Sequence, residues 1–379
     1  MEKLNYRKFL IDIKNTININ DLITNITSIF FIAITAFYPV FIGSGGYSSI
    51  TYKKALFFWL ATGIATIALL FIFICGKQKF SLDNYYVENE PLRKVTVAEW
   101  VLLGFVIWTL ISAILSMWQN PEWANPGFGS ASVWLGANSR YEGFITFLCY
   151  AITFAIVARF YKIKDLHLQL IAVSAILISL IGVLQFFGLD IFRLYAHYSP
   201  LSTLLRTTLG NVNIVSSYCS FTIMMFAALF TVSRSKWKYL YLGACICSFA
   251  LSLTTGFSGD AHKIAILGSM ILLIPYWISD RERLGRILIV MSSWLIVYAG
   301  HSAYMSELKK QCTTGTFFPK YDQQLLNEYT HKNIPLFLII AVVLLIAGLT
   351  LILLLKKWHE KPMKTVGVIL LPFMTAMKL

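Results

Sequence analysis

The chain has 379 residues, of which 57% are hydrophobic and only 13% charged, and its mean hydropathy is +0.68. A soluble domain of this length needs far more polar surface, so a soluble globular enzyme is excluded. The net charge of +14 does not point to nucleic acid either, because the basic residues stand in short blocks between apolar runs, which is the pattern of membrane topology.

In chain order, residues 1–21 are mixed and basic, and "LNYRKFLIDIKNTI" sets Leu10, Ile13 and Ile17 at helical spacing. That suits a short interfacial helix or an unstructured tail. The first apolar run is too long for the core of a signal peptide. Spans are expected near 22–43, 55–76, 98–117, 143–160, 166–187, 211–232, 239–255, 264–279, 287–303 and 334–355, each approaching the ~20 residues that cross a bilayer. A last apolar run, 366–379, is short for a crossing. The expected fold class is therefore all-α: a polytopic transmembrane helical bundle of about 10–11 spans. Residues 1–21 form a cytoplasmic segment and 22–379 a single transmembrane domain.

Orientation follows from lysine and arginine. With the N-terminus cytoplasmic, the inner segments 1–21, 77–97, 159–165, 233–238, 280–286 and 356–364 carry 21 of the 32 basic residues. Even short inner segments such as "SRSKWK" are basic, as the positive-inside rule requires. The outer segments are then 118–142, 188–210, a short turn "TGFSGDAHK" and 304–333. Five of the six cysteines lie in or beside apolar runs, and the sixth, Cys312, in a polar segment; no zinc or disulfide spacing exists.

Outer basic residues run against the topological preference. Arg140, Arg206 and Lys263 each stand at the outer edge of a span. Each alone can serve by snorkelling to lipid phosphate; three cations on one outer cavity suit a phosphate ligand, which guanidinium groups grip bidentately. After Arg206 the chain reads "RTTLGNVNIVSSY", where Asn211 can cap a helix that has Asn213 in its first turn. Such a helix N-terminus offers amides and a positive dipole end to an anion, or is simply capped. Glu142 is a candidate general base or a partner that orients Arg140. His262, His301 and His331 are outer candidates for proton transfer. Walker loops, nucleophile elbows and metal-ligand spacings are missing, so neither a cofactor nor a metal is expected. Carboxylates inside the spans are scarce, which tells against an ion-coupled relay.

Three segments in order carry a resemblance: "WLGANSRYEGF", "LIGVLQFFGLD" and "RTTLGNVN". Together they resemble the O-antigen ligase and polymerase superfamily, particularly its Gram-positive versions. Gly136, Arg140, Tyr141 and Gly143 fit a G-x-x-R-Y-x-G pattern with one extra residue before the arginine. Gly182, Leu184, Gln185, Phe186, Gly188 and Asp190 fit the second segment; Arg206, Leu209, Gly210, Asn211 and Asn213 fit the third. The resemblance implies a metal-independent membrane glycosyltransferase. Its donor is a glycan on an undecaprenyl-diphosphate carrier, and its acceptor is a glycan or glycolipid at the outer face of the cell membrane. It implies that Arg140 and Arg206 hold the diphosphate and that a histidine of the long outer segment, His301 or His331, activates the acceptor hydroxyl. Asn211, Asn213, His262 and Lys263 are the expected binding residues. The family's T-x-S-R-G segment is replaced here by "LTTGFSGDAHK", so Lys263 or His262 stands where the family has arginine, and lysine lacks the bidentate fork. The competing readings are a flippase or transporter of lipid-linked sugars and a non-catalytic partner in surface-polysaccharide assembly.

Overall fold

A computed structural model describes residues 19–75, 86–87, 90–91, 95–120, 132–137, 140–187, 189–195, 207–254, 261–313 and 333–353. The architecture is all-α. Helix α1 runs Ile19–Ile32, passes through a π-helical turn over Ala33–Phe37 and ends with Tyr38–Val40. It is followed by α2 (Ile50–Cys75), α3 (Val97–Gln119), α4 (Phe144–Phe160) and α5 (Asp165–Phe186). Then come α6 (Val212–Val232), α7 (Lys238–Thr254), α8 (Ala261–Ile278), α9 (Arg281–Thr313) and α10 (Ile334–Leu353). The strands among the described residues are a two-residue pair, Tyr86–Val87 with Glu90–Pro91, between α2 and α3.

Each of the ten expected spans falls on one of these helices. Seven of them, α1, α2, α3, α5, α6, α9 and α10, are long and apolar enough to cross a membrane. The other three, α4, α7 and α8, are shorter apolar helices. The chain is a multi-pass helical membrane protein.

The span expected at 287–303 is only the middle of α9, which has 33 residues. At its start Asp280 Oδ1 accepts from Arg283 N at 2.9 Å, so the block read as a loop winds into the first turns. At its other end Met305 and Leu308 are buried. The outer segment expected at 304–333 is accordingly helical through Thr313.

The chain divides into two compact units, with the boundary between Leu168 and Gln169. In the first, Ile23 and Phe30 of α1 pack with Ala65, Leu69 and Ile72 of α2 and Ile156 of α4. Trp59 Nε1 donates to Thr146 Oγ1 at 2.9 Å, tying α2 to α4. Lys54 is buried and donates to the carbonyls of Tyr38 and Pro39, both at 2.9 Å. Those carbonyls lie at the end of α1, where Tyr38 O also accepts from Phe41 N at 3.3 Å, and a cation suits a helix C-terminus. At the C-terminal end of α4 Arg159 grips Glu99 with two nitrogens, at 2.5 and 2.9 Å. Glu99 also closes a capping box with Thr96 that starts α3. Just beyond α4, Tyr161 stacks on Phe31 at 3.9 Å between ring centroids. Burial pushes its phenol up to about 12, and its oxygen lies 2.7 Å from His167 Nδ1.

In the second unit α6 is the central helix; Val215, Cys219, Ile223, Phe226 and Ala227 are fully enclosed. Arg286 of α9 is buried. Its Nη1 donates to the carbonyls of Phe230, Thr231 and Ser233 at 3.1, 3.2 and 2.6 Å, and its other terminal nitrogen meets Glu282. One guanidinium thus satisfies the orphan carbonyls at the end of α6.

Helices α9 and α10 pack antiparallel along a seam of small residues seven apart. A Cβ on Gly285 would lie 2.8 Å from Gly348 O, and one on Gly348 would lie 2.6 Å from Gly285 O. Seven residues along each helix, Ser292 Oγ donates to Ala341 O at 2.7 Å. Beyond that Tyr298 meets Phe337 edge-on at 5.4 Å. Small side chains let helix backbones approach closely where no water drives association.

Candidate functional site

The charge pattern puts two built structures at outer helix ends. The first, in the N-terminal unit, is the segment 132–143. Ser132 and Gly136 exchange backbone hydrogen bonds at 3.2 and 2.6 Å, closing a tight loop. Gly136 has φ +92°, and a Cβ there would meet Glu142 N at 2.4 Å; a Cβ on Gly143 would meet Gly136 N at the same distance. The two glycines of the motif are therefore required by each other. Phe144 N and Ile145 N donate to the carbonyls of Val133 and Trp134, at 3.0 and 3.1 Å. Thr146 N and Phe147 N both donate to Gly143 O. The first amides of α4 are thus used by the loop and are not open to an anion.

Arg140 sits on this loop, exposed to solvent. Its neighbour Tyr141 has φ 55° and is seated among Tyr52, 5.6 Å away, and Trp59, 6.3 Å away. Thr146 Oγ1 donates to Tyr141 O at 2.6 Å. Glu142 is also exposed. The pairing expected between Arg140 and Glu142 is not made: among the described residues no ion pair or hydrogen bond joins their side chains. The left-handed turn at Tyr141 breaks the regular backbone between them, and Glu142 leads instead into the helix start.

The second structure, in the C-terminal unit, joins two motif segments that are about 20 residues apart in sequence. Gln185 on the last turn of α5 accepts from Thr207 N at 3.1 Å through Oε1. A Cβ on Gly182 would lie 2.3 Å from Leu251 Cδ1 and 2.6 Å from Thr207 Cγ2. Thr207 is wholly buried and left-handed, with φ 48°. It begins a short 3-10 turn, Thr207–Leu209, followed by Gly210 at φ +79°. Asn211 then caps α6, its side chain accepting from Asn213 N at 2.8 Å. Asn211 and Asn213 are both exposed. Arg206 and His331 lie outside the described residues.

The other expected residues are spread along this unit. His262, in the first turn of α8, is turned inward with 8% exposure, and its carbonyl accepts from Ser220 Oγ of α6 at 3.5 Å. Lys263 beside it is exposed. His301 stands within α9, its ring 5.6 Å from that of Phe186, in an apolar neighbourhood that includes Tyr304 and Met305. Among the described residues no group of three or more His, Cys, Asp or Glu could hold a metal ion.

Sequence reading alone missed Lys54, whose place beside Lys53 at a span edge looks like ordinary topology. It also missed the Gln185–Thr207 contact, for which the only signal was that both residues belong to motif segments.

The class defined by this architecture is a multi-pass membrane protein with ordered loops at helix ends. Beyond that class, no protein-family model, curated protein or solved structure matches the chain.

Proposed function

We propose that this chain is a metal-independent glycosyltransferase of the cell membrane, akin to the O-antigen ligases and polymerases that it resembles. It moves a glycan from an undecaprenyl-diphosphate carrier to an acceptor glycan or glycolipid at the outer face. The observation that carries the reading is the Gln185–Thr207 contact. It joins two of the three motif segments, and Arg206 is the residue next to the pinned Thr207. The reaction needs little covalent help from the protein. As the acceptor oxygen bonds to the anomeric carbon, the diphosphate departs with the electron pair, and fixed positive charge stabilises it. Arg140 supports this role: it is solvent-facing on a rigid loop, and its guanidinium is not spent on any described carboxylate. Asn211 and Asn213 border the amide end of α6, which adds a positive dipole end.

The test is mass spectrometry of undecaprenyl-linked oligosaccharides in membranes with and without the gene, then with Arg140→Lys and Arg206→Lys at unchanged protein level. The expected result is accumulation of carrier-linked glycan at the outer face, loss of a surface glycan, and the same defect in both variants. Accumulation at the inner face would identify a flippase. An unchanged pool would leave a non-catalytic partner in glycan assembly.

A further inference from the structure

Two basic stretches lie at one end of the C-terminal unit: "SRSKWKY", between α6 and α7, and "SDRERLGR", which opens α9. Ser233 and Arg286 are 53 residues apart, yet Arg286 Nη1 donates to Ser233 O at 2.6 Å. The first stretch is thus fixed beside the opening turns of α9. It is also ordered within itself: Ser233 Oγ accepts from Ser235 N and Ser235 Oγ from Trp237 N, both at 3.3 Å.

This arrangement gathers Arg234, Lys236 and Lys238 of the loop with Arg283 of α9. Among the described residues none of these four side chains makes a hydrogen bond or an ion pair. Two carboxylates stand in the same place, and both are committed: Glu282 to Arg286, and Asp280 to Arg283 N. Like charges brought together repel, and an anion between them relieves the repulsion. Arg283 is the fixed member of the set. Its guanidinium lies over the Tyr276 ring of α8, 4.2 Å from the centroid, and is half-buried. A guanidinium held flat in this way loses little freedom on binding, and its fork suits phosphate oxygens.

The surroundings of the cations decide the kind of anion. Trp237 and Tyr239 alternate with Lys236 and Lys238, and both are exposed, as is Val232 at the end of α6. Lys238 Nζ lies 5.3 Å from the centroid of the Tyr239 ring. Exposed Trp and Tyr beside cations at the ends of membrane helices belong to the headgroup layer, and basic pockets between helices at that level hold anionic lipid headgroups. A free phosphate would meet the same charge but has no use for the exposed rings.

We propose that the α6–α7 loop and the start of α9 form a binding site for the headgroup of an anionic phospholipid. The lipid belongs to the leaflet at this end of the helices, the cytoplasmic one by the charge pattern. Arg283 and Arg234 take the phosphate oxygens, Lys236 and Lys238 add charge, and Trp237 and Tyr239 lie along the upper acyl chains. None of these residues is among those proposed for glycan transfer.

The test titrates the purified full chain, in neutral detergent, with phosphatidylglycerol, phosphatidylcholine and inorganic phosphate, and counts bound lipid by native mass spectrometry. The expected result is retention of phosphatidylglycerol under conditions that strip phosphatidylcholine, with no displacement by an equal concentration of inorganic phosphate. Arg234→Gln combined with Arg283→Gln should weaken phosphatidylglycerol binding ~30-fold, at about a factor of five per cation. Lys310→Gln, at the far end of α9, should leave it unchanged. Lys236→Gln combined with Lys238→Gln should also weaken it, and this pair decides the matter if the first pair lowers the melting temperature. Equal retention of the two lipids, or unchanged affinity in the deciding pair, overturns the proposal. So does an equal loss in Lys310→Gln, which would assign the binding to overall charge. Displacement by inorganic phosphate would make free phosphate the ligand and overturn the lipid assignment.

Discussion

Replacing Gln185 with Met removes one hydrogen-bond acceptor while keeping an unbranched side chain of similar length. Thr207 N–H, on a residue with no exposure, then has lost the Gln185 oxygen that accepts its bond at 3.1 Å. Taking this acceptor from a buried amide costs about 1–3 kcal/mol. The left-handed backbone of Thr207 is strained in wild type and variant alike, so it adds nothing to this difference, but such strain persists only while the surroundings impose it. The native turn is therefore destabilised against opening by about 2 kcal/mol, which corresponds to roughly 30-fold faster amide exchange at one decade per 1.36 kcal/mol. Hydrogen–deuterium exchange on the protein in lipid nanodiscs measures this directly. The segment 207–213 should exchange faster in Gln185→Met, while α10 in the same sample does not change. Equal exchange of 207–213 in wild type and variant would refute the argument that Gln185 holds the two motif segments together.

Gly143→Ala should lose both stability and glycan transfer, because its Cβ meets backbone atoms at 2.4 Å that cannot yield; thermal unfolding and pool clearance measure the two effects. Arg286→Ala should lower stability by about 3 kcal/mol, since it strips charge-assisted bonds from three carbonyls. Glu282→Gln should cost under ~1 kcal/mol, because that carboxylate is half-exposed; denaturant titration in detergent compares the pair. Gly348→Leu should separate α9 from α10 and lower the melting temperature, whereas Gly268→Leu, where a Cβ meets nothing within 4 Å, should leave it unchanged.

How much of this was legible beforehand depends on range. Runs of apolar residues and the basic blocks between them are local signals, and they located the ten long helices among the described residues. What they could not locate was the use of individual polar residues. Arg286 looks like one more inner positive charge in "SDRERLGR", yet it caps a helix that ends more than 50 residues earlier. Arg140 and Glu142 look like an ion pair because they are two residues apart, but the backbone conformation of Tyr141 decides otherwise. The partnership of Gln185 with Thr207 crosses a loop, and no periodicity encodes it. Glycine is the partial exception: Gly136, Gly143 and Gly182 stood out as motif positions, and each meets a close backbone or side-chain approach.

The length of α9 has a consequence for how the protein comes apart. Its 33 residues rise about 50 Å, against a hydrocarbon layer of ~30 Å. Standing upright with Arg281 at one membrane surface, α9 would carry Met305 and Leu308 past the far edge of that layer. These residues form a cluster with Phe186 and Leu253. A cluster so placed would be enclosed by protein and water and not by lipid tails. It would then owe its cohesion to the aqueous hydrophobic effect, which urea weakens. The expectation is a two-tiered molecule, in which urea loosens this cluster while the helices in the bilayer hold.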